Sequence, residues 1–167
     1  MKDMTVSKAL KWLFIAAILN IFPIANIVGF VLNLVALYAA GKLEKGYNTA
    51  FALSIAGIVV SVLGAFARGV FGSLISIVST VISLGVLYFV ITTTNGLLNG
   101  VGEDDVAAKG DKVWKINLIC TVAAVVLSLL AFIPVLAGLL GVVVFIVEVV
   151  GAILYLVYLH NSSKALA

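Results

Sequence analysis

One carboxylate stands apart among the residues of this 167-residue chain that could do chemistry. Glu148 lies in the apolar run from Ile116 to Leu159, about 14 residues or roughly 21 Å beyond Pro134 if the segment is helical. An ionisable group at such a depth in an apolar segment points to a proton or cation site. The plainer role is a hydrogen bond to a neighbouring helix. On a helix, Glu148 shares a face with Gly141, Val144, Gly151, Ala152 and Tyr155. That face is small enough for a second helix to approach, so the spacing predicts that Glu148 packs against one.

A second polar series, Gly72, Ser73, Ser76, Ser79, Thr80 and Ser83, also sits inside an apolar run. Steps of three, four and seven gather most of it into one helical stripe. Small residues let helix backbones come close, and hydroxyls can bond across the contact or back to their own helix. Gly57, Ser61 and Gly64 form a matching stripe upstream. Helix packing is the expected use, with a polar pathway as the sharper alternative.

The remaining reactive groups are solitary. His160 has neither Cys nor carboxylate at ligand spacing, and is expected at a membrane edge. Cys120 lies in an apolar run and is the only cysteine, so no intrachain disulfide exists and a small buried hydrophobe is expected. No Ser/His/Asp, Cys/His or metal constellation is present, so no enzyme, cofactor or metal is expected. Without a basic patch interleaved with aromatics, nucleic acid is not an expected partner either, and no small-molecule substrate is identifiable.

The elements that carry these residues follow from composition. The chain is 64% hydrophobic and 10% charged, with a mean hydropathy of +1.32. Soluble domains carry roughly 25% charged residues, so a water-soluble monomer is excluded and an all-α integral membrane protein is expected. Uncharged apolar stretches run from Trp12 to Ala40, Gly46 to Ala67, Gly69 to Gly102 and Ile116 to Val147. Each can span a bilayer, for which about 20 residues suffice. The segment from Ile116 to Leu159 would be roughly 66 Å long as one helix, twice the hydrocarbon core, so it must turn back, at Pro134. Ala67-Arg68-Gly69 breaks the second long stretch.

Trp12 to Ala40 is harder to divide, being about 44 Å as one helix yet short for two full passes. Pro23 supplies a break, and a short hairpin is expected, with a single kinked span as the alternative. Three helical hairpins of about six apolar helices result, near residues 8–41, 47–98 and 112–160, with a cytoplasmic loop at 99–111, all in a single membrane domain, 1–167. They suggest an internal repeat: each starts behind an aromatic (Trp12, Tyr47, Trp114) and leaves through Leu37-Tyr38, Leu87-Tyr88 or Leu154-Tyr155 into polar sequence. The beginning, Lys2, Lys8 and Lys11 before Trp12 to Phe22, has the pattern of a signal peptide but is read as an uncleaved first helix.

Charge sets the orientation. Three hairpins place Lys2, Lys8, Lys11, Lys42, Lys45, Lys109, Lys112, Lys115 and Lys164 on one side and only Arg68 on the other, so the lysine side is expected in the cytoplasm. Trp12, Tyr38, Tyr47, Tyr88, Trp114, Tyr155 and Tyr158 all fall near that side and are expected to anchor it at the headgroups. Arg68 is expected to anchor the opposite side. There the turn around Phe132-Ile133-Pro134 has no polar side chain, and it is expected to be covered by another subunit or held below the headgroups.

Two local strings carry family resemblances. Phe145-Ile146-Val147-Glu148-Val149-Val150-Gly151 resembles the carboxylate-bearing helix of rotary ATPase proteolipids, which are also built from hairpins; the resemblance implies an ion-carrying role for Glu148. The alternating-glycine helix of that family is missing, and only one hairpin here carries an acid. Gly100-Val101-Gly102-Glu103-Asp104-Asp105 resembles the glycine-x-glycine-aspartate string of intramembrane aspartyl proteases, with Glu103 where that family has its aspartate and no second aspartate within an apolar helix. On the residues themselves, Asp104 or Asp105 caps a short helix through Lys109.

Together these readings predict a non-enzymatic multi-pass protein of a bacterial-type cytoplasmic membrane, with its termini in the cytoplasm. Its partners are the lipid bilayer and other copies of itself, so a homo-oligomer that organises membrane or forms a pore or scaffold is expected. The alternative is a proton- or cation-coupled transport component that uses Glu148.

Overall fold

A computed structural model describes residues 5–22, 25–67, 70–130 and 134–167. Among them the regular structure is helical: α1 (Val6–Ile21), α2 (Asn26–Gly41), α3 (Lys45–Phe66), α4 (Val70–Gly100), α5 (Asp104–Leu130) and α6 (Pro134–Ala165). Thr5 caps α1 by accepting a hydrogen bond from the Lys8 amide at 3.3 Å. Pro134 opens α6, a position where its missing N–H leaves no hydrogen bond unmade. Of the expected turns, Pro23, Arg68 and Phe132-Ile133 lie outside the described residues.

The expected loop at 99–111 narrows to a tight turn. Gly102 has φ 81°, its amide donates to Asn99 O at 3.2 Å, and the Glu103 amide donates to Leu98 O at 2.9 Å. This paired pattern satisfies the last carbonyls of α4 and needs a residue without Cβ strain at the left-handed position. Asp104 and Asp105 then occupy the first turn of α5, where carboxylates complement the positive helix end. The short helix expected through Lys109 is thus the start of a 27-residue helix.

Each helix packs antiparallel on its sequence neighbours, and α6 returns to α1, so the six close into a ring. Close approaches fix the directions. Gly46 meets Thr93 and Gly57 meets Ile82 between α3 and α4, Asn95 meets Asp111 between α4 and α5, and Ser7 bonds Ser163 between α1 and α6. The start of α1, the end of α6, the α2–α3 turn and the α4–α5 turn therefore share one end of the bundle, and every described lysine lies there.

Helix lengths make the two ends unequal. Helices α1 and α2 have 16 residues each, about 24 Å, whereas α4 and α6 have 31 and 32, nearly twice that. Six helices surround the lysine end and only four continue beyond it. The core accordingly sits at the lysine end: Leu10, Leu13, Leu37, Tyr47, Val90 and Leu159 form one cluster, and Ile91, Leu98, Val113 and Tyr158 another. Further out, Leu63, Phe66, Phe71, Phe145 and Ile146 are exposed. Three helices are long and apolar enough to cross a membrane, Lys45–Phe66, Leu74–Gly100 and Gly141–Ala165, which fits a membrane location. Helix α2 is apolar but shorter, and the first half of α5 carries the charges of Asp104 to Lys115.

Candidate functional site: a polar clamp and an open cleft

The lysine end is held by hydrogen bonds, most of them buried, drawn from five helices. Asn95 on α4 uses both ends of its amide: Nδ2 donates to Asp111 Oδ1 on α5 at 2.8 Å, and Oδ1 accepts from the Tyr158 hydroxyl of α6 at 2.6 Å. One residue away, Thr94 Oγ1 lies 2.7 Å from the Tyr47 hydroxyl of α3 and donates to Val90 O at 2.6 Å. Ser7 Oγ adds α1 by donating to Ser163 O at 2.6 Å. Buried polar groups satisfied in this way rigidify a core and fix its register. Gly110 makes the approach possible, since a Cβ there would collide with Asn95 Oδ1 and come within 2.6 Å of the Tyr158 ring. The cluster holds helices together and contains no activated nucleophile.

This clamp divides the expected aromatic anchors. Tyr47 and Tyr158 turn inward and are buried, while Trp12, Tyr38 and Tyr88 are exposed. Trp114 is half-buried with its ring edge-on to Tyr88, centroids 5.2 Å apart, and Tyr155 is half-buried between the two core clusters. In the sequence, Thr94 and Asn95 belong simply to the polar stretch Thr92-Thr93-Thr94-Asn95 into which the second hairpin leaves after Leu87-Tyr88. The available signal was an amide and a carboxylate, Asn95 and Asp111, flanking one turn beside helices that each carry a tyrosine.

The small-residue stripes split between two jobs. Gly57 and Gly64 serve the contact of α3 with α4, where a Cβ would come within 3.3 Å of Ile82 and 3.0 Å of Ile75. Gly85, which the stripe did not include, does the same against Leu53. Beside this seam a cleft of about 570 Å³ opens between α2, α3 and α4, lined in part by Asn33, Ser54, Gly57, Ser61, Ser79 and Ser83. Hydroxyls bond back to their own helices: Ser83 to Ser79 O at 3.0 Å, Thr80 to Ser76 O at 3.0 Å and Ser54 to Ala50 O at 2.9 Å. Asn33 has no hydrogen-bond partner among the described residues. Ser76 is exposed, Gly72 is half-buried near Ala67 O, and the Ser73 side chain lies outside what is described.

Glu148 is exposed within the single chain. The reason is the short first hairpin. Gly151, one turn nearer the lysine end, is buried with Asn117 Oδ1 2.7 Å from where its Cβ would be, and at Glu148 the six-helix section has ended. Phe145, Ile146, Val149 and Val150 around it are exposed as well. His160 packs its ring against Phe14, centroids 5.4 Å apart, and Cys120 is a half-buried free thiol. Among the described residues no three His, Cys, Asp or Glu side chains gather as a metal site would require. No protein-family model, curated protein or solved structure matches the chain.

Proposed function

We propose that this chain is a non-enzymatic multi-pass membrane protein whose three hairpins assemble with other copies through the open cleft of α2, α3 and α4, as a scaffold that organises membrane or encloses a pore. The observation that carries the reading is Asn33. An amide without a partner among the described residues, in a wall otherwise built of apolar and small residues, is stabilised in hydrocarbon when another helix supplies a hydrogen bond, an effect of about 1–2 kcal/mol. Ser61 beside it is exposed and leaves room for such a helix. The lysine end faces the cytoplasm of a bacterial-type cell, by the excess of positive charge there. Glu148, uncovered within one chain, supports ion-coupled transport as the second reading, with the carboxyl placed at a contact between copies.

Mass distributions in native-lipid particles test the assembly. Ser61→Leu should shift the population toward single copies, and Asn33→Leu should do so as well, while both variants keep their helical content. An unchanged distribution for both would remove the cleft as an interface. Glu148→Gln separates the two readings: scaffold behaviour survives it, whereas loss of ion-dependent flux in liposomes with an unaltered assembly would establish the transport reading.

A further inference from the structure

A second opening lies on the other side of the ring, between α5 and α6 at the lysine end. It has a volume of about 230 Å³ and is lined by Lys109, Lys112, Ile116, Leu154, Val157 and Asn161, among others. The lining is ordered by depth. Gly110 lies opposite Tyr158 and Gly151 opposite Asn117, so Lys109, Lys112 and Asn161 stand at the outer end and Ile116 and Leu154 at the inner. From Lys109 to Ile116 the slot runs about 10 Å along α5. No carboxylate lines it, and among the described residues neither lysine is in an ion pair. Asp111, between the two lysines in sequence, is engaged by Asn95 on the other side of α5.

We propose that this slot holds one anionic phospholipid, its phosphate between Lys109 and Lys112 with Asn161 as an additional donor, and the start of an acyl chain along Ile116, Leu154 and Val157. The inference rests on the reading of the chain as a membrane protein. Two ammonium groups at the mouth call for an anion, and the apolar inner half excludes a fully hydrated one. Leu154 and Val157 of the inner wall belong to Gly141–Ala165, a segment able to cross a membrane, so a chain in the slot continues into the surrounding hydrocarbon. The cytoplasmic leaflet, which the lysine end faces on that reading, is the one rich in anionic lipid.

Native mass spectrometry of the intact protein tests this, with phosphatidylglycerol and phosphatidylcholine of identical chains supplied together. One phosphatidylglycerol should be retained in preference. Each lysine near an anionic headgroup is worth on the order of a fivefold preference, so Lys109→Gln/Lys112→Gln should lose roughly 25-fold. Lys42→Gln/Lys45→Gln removes the same charge from the same end outside the slot and should retain the preference. Equal loss in both double variants, or no preference in the parent, would overturn the site. Glycerol phosphate, a headgroup without chains, should fail to displace the lipid; displacement at matched concentration would show that phosphate alone is read and would overturn the lipid assignment. Flotation with phosphatidylcholine vesicles reports the membrane reading separately. Protein that floats but shows no lipid preference defeats the slot alone, and protein that does not float defeats both.

Discussion

The lysine end and the far end of this bundle are made from nearly the same residue types, yet one is a packed core and the other is surface. At the lysine end six helices meet, and Leu10, Leu37, Ile91 and Leu98 are fully buried. At the far end the same kinds of side chain, such as Leu63, Phe66 and Val142, have more than half of their area exposed. Hydrophobicity does not separate the two regions. Helix length and polar pairing do: α1 and α2 are only 16 residues long, and the clamp of Asn95, Asp111, Tyr158, Thr94 and Tyr47 lies at the lysine end. In a membrane, apolar side chains gain little by leaving lipid for protein, so shape and hydrogen bonds decide where helices hold together.

Paired substitutions at the two ends can break or sharpen this contrast. The largest difference is expected between glycines. Gly110→Ala forces a methyl group onto Asn95 and Tyr158 and should destabilise by about 3 kcal/mol, whereas Gly141→Ala, with nothing near its added Cβ, should be neutral or stabilising by about 0.5–1 kcal/mol. Unfolding of the reconstituted protein by a denaturing detergent reads both. Similar effects at the two positions would dissolve the distinction between the ends.

Next come the polar groups. Asn95→Ala removes the partner of Asp111 and leaves the Tyr158 hydroxyl only its longer bond to Ile91 O at 3.3 Å, and should lower stability by about 1–3 kcal/mol in the same titration. Ser83→Ala removes a hydroxyl that bonds only its own helix, and should stay within about 0.5 kcal/mol of the parent. A Ser83 effect as large as that of Asn95 would mean that the cleft is bridged by hydrogen bonds in the assembled protein.

The smallest effect is expected at the rim of the lysine end, where Lys42 Nζ lies 4.4 Å from the Tyr38 ring centroid. Tyr38→Leu should cost about 0.5–1 kcal/mol, and added salt should reduce the difference.

The same contrast governs how much was legible beforehand. Helical character, the break at Pro134 and the gathering of lysines at one end follow from hydropathy, chain geometry and charge, all of which act locally or sum over the whole chain. The division of Trp12 to Ala40 into two helices also agrees with the favoured expectation. The clamp was not legible, because Asn95, Asp111 and Tyr158 lie up to 63 residues apart and meet only once α4, α5 and α6 are in register. The burial of Tyr47 was hidden by a rule that places tyrosines at headgroups without saying which way the ring turns. Glu148 depends on the same kind of long-range information. Its helical face is small in the sequence, yet a small face does not say whether a helix of the same chain is long enough to reach it.

The central claim is that the cleft of α2, α3 and α4 is open within one chain and covered by another. Oxidative cross-linking of Ser61→Cys in a Cys120→Ser background, in bilayers at low protein density, tests it most directly. A disulfide-linked dimer should form rapidly at Ser61, and not at Val126→Cys, which is exposed on α5 away from the cleft. Equal, slow linkage at both positions would contradict the claim, because random collision would then account for every contact between copies.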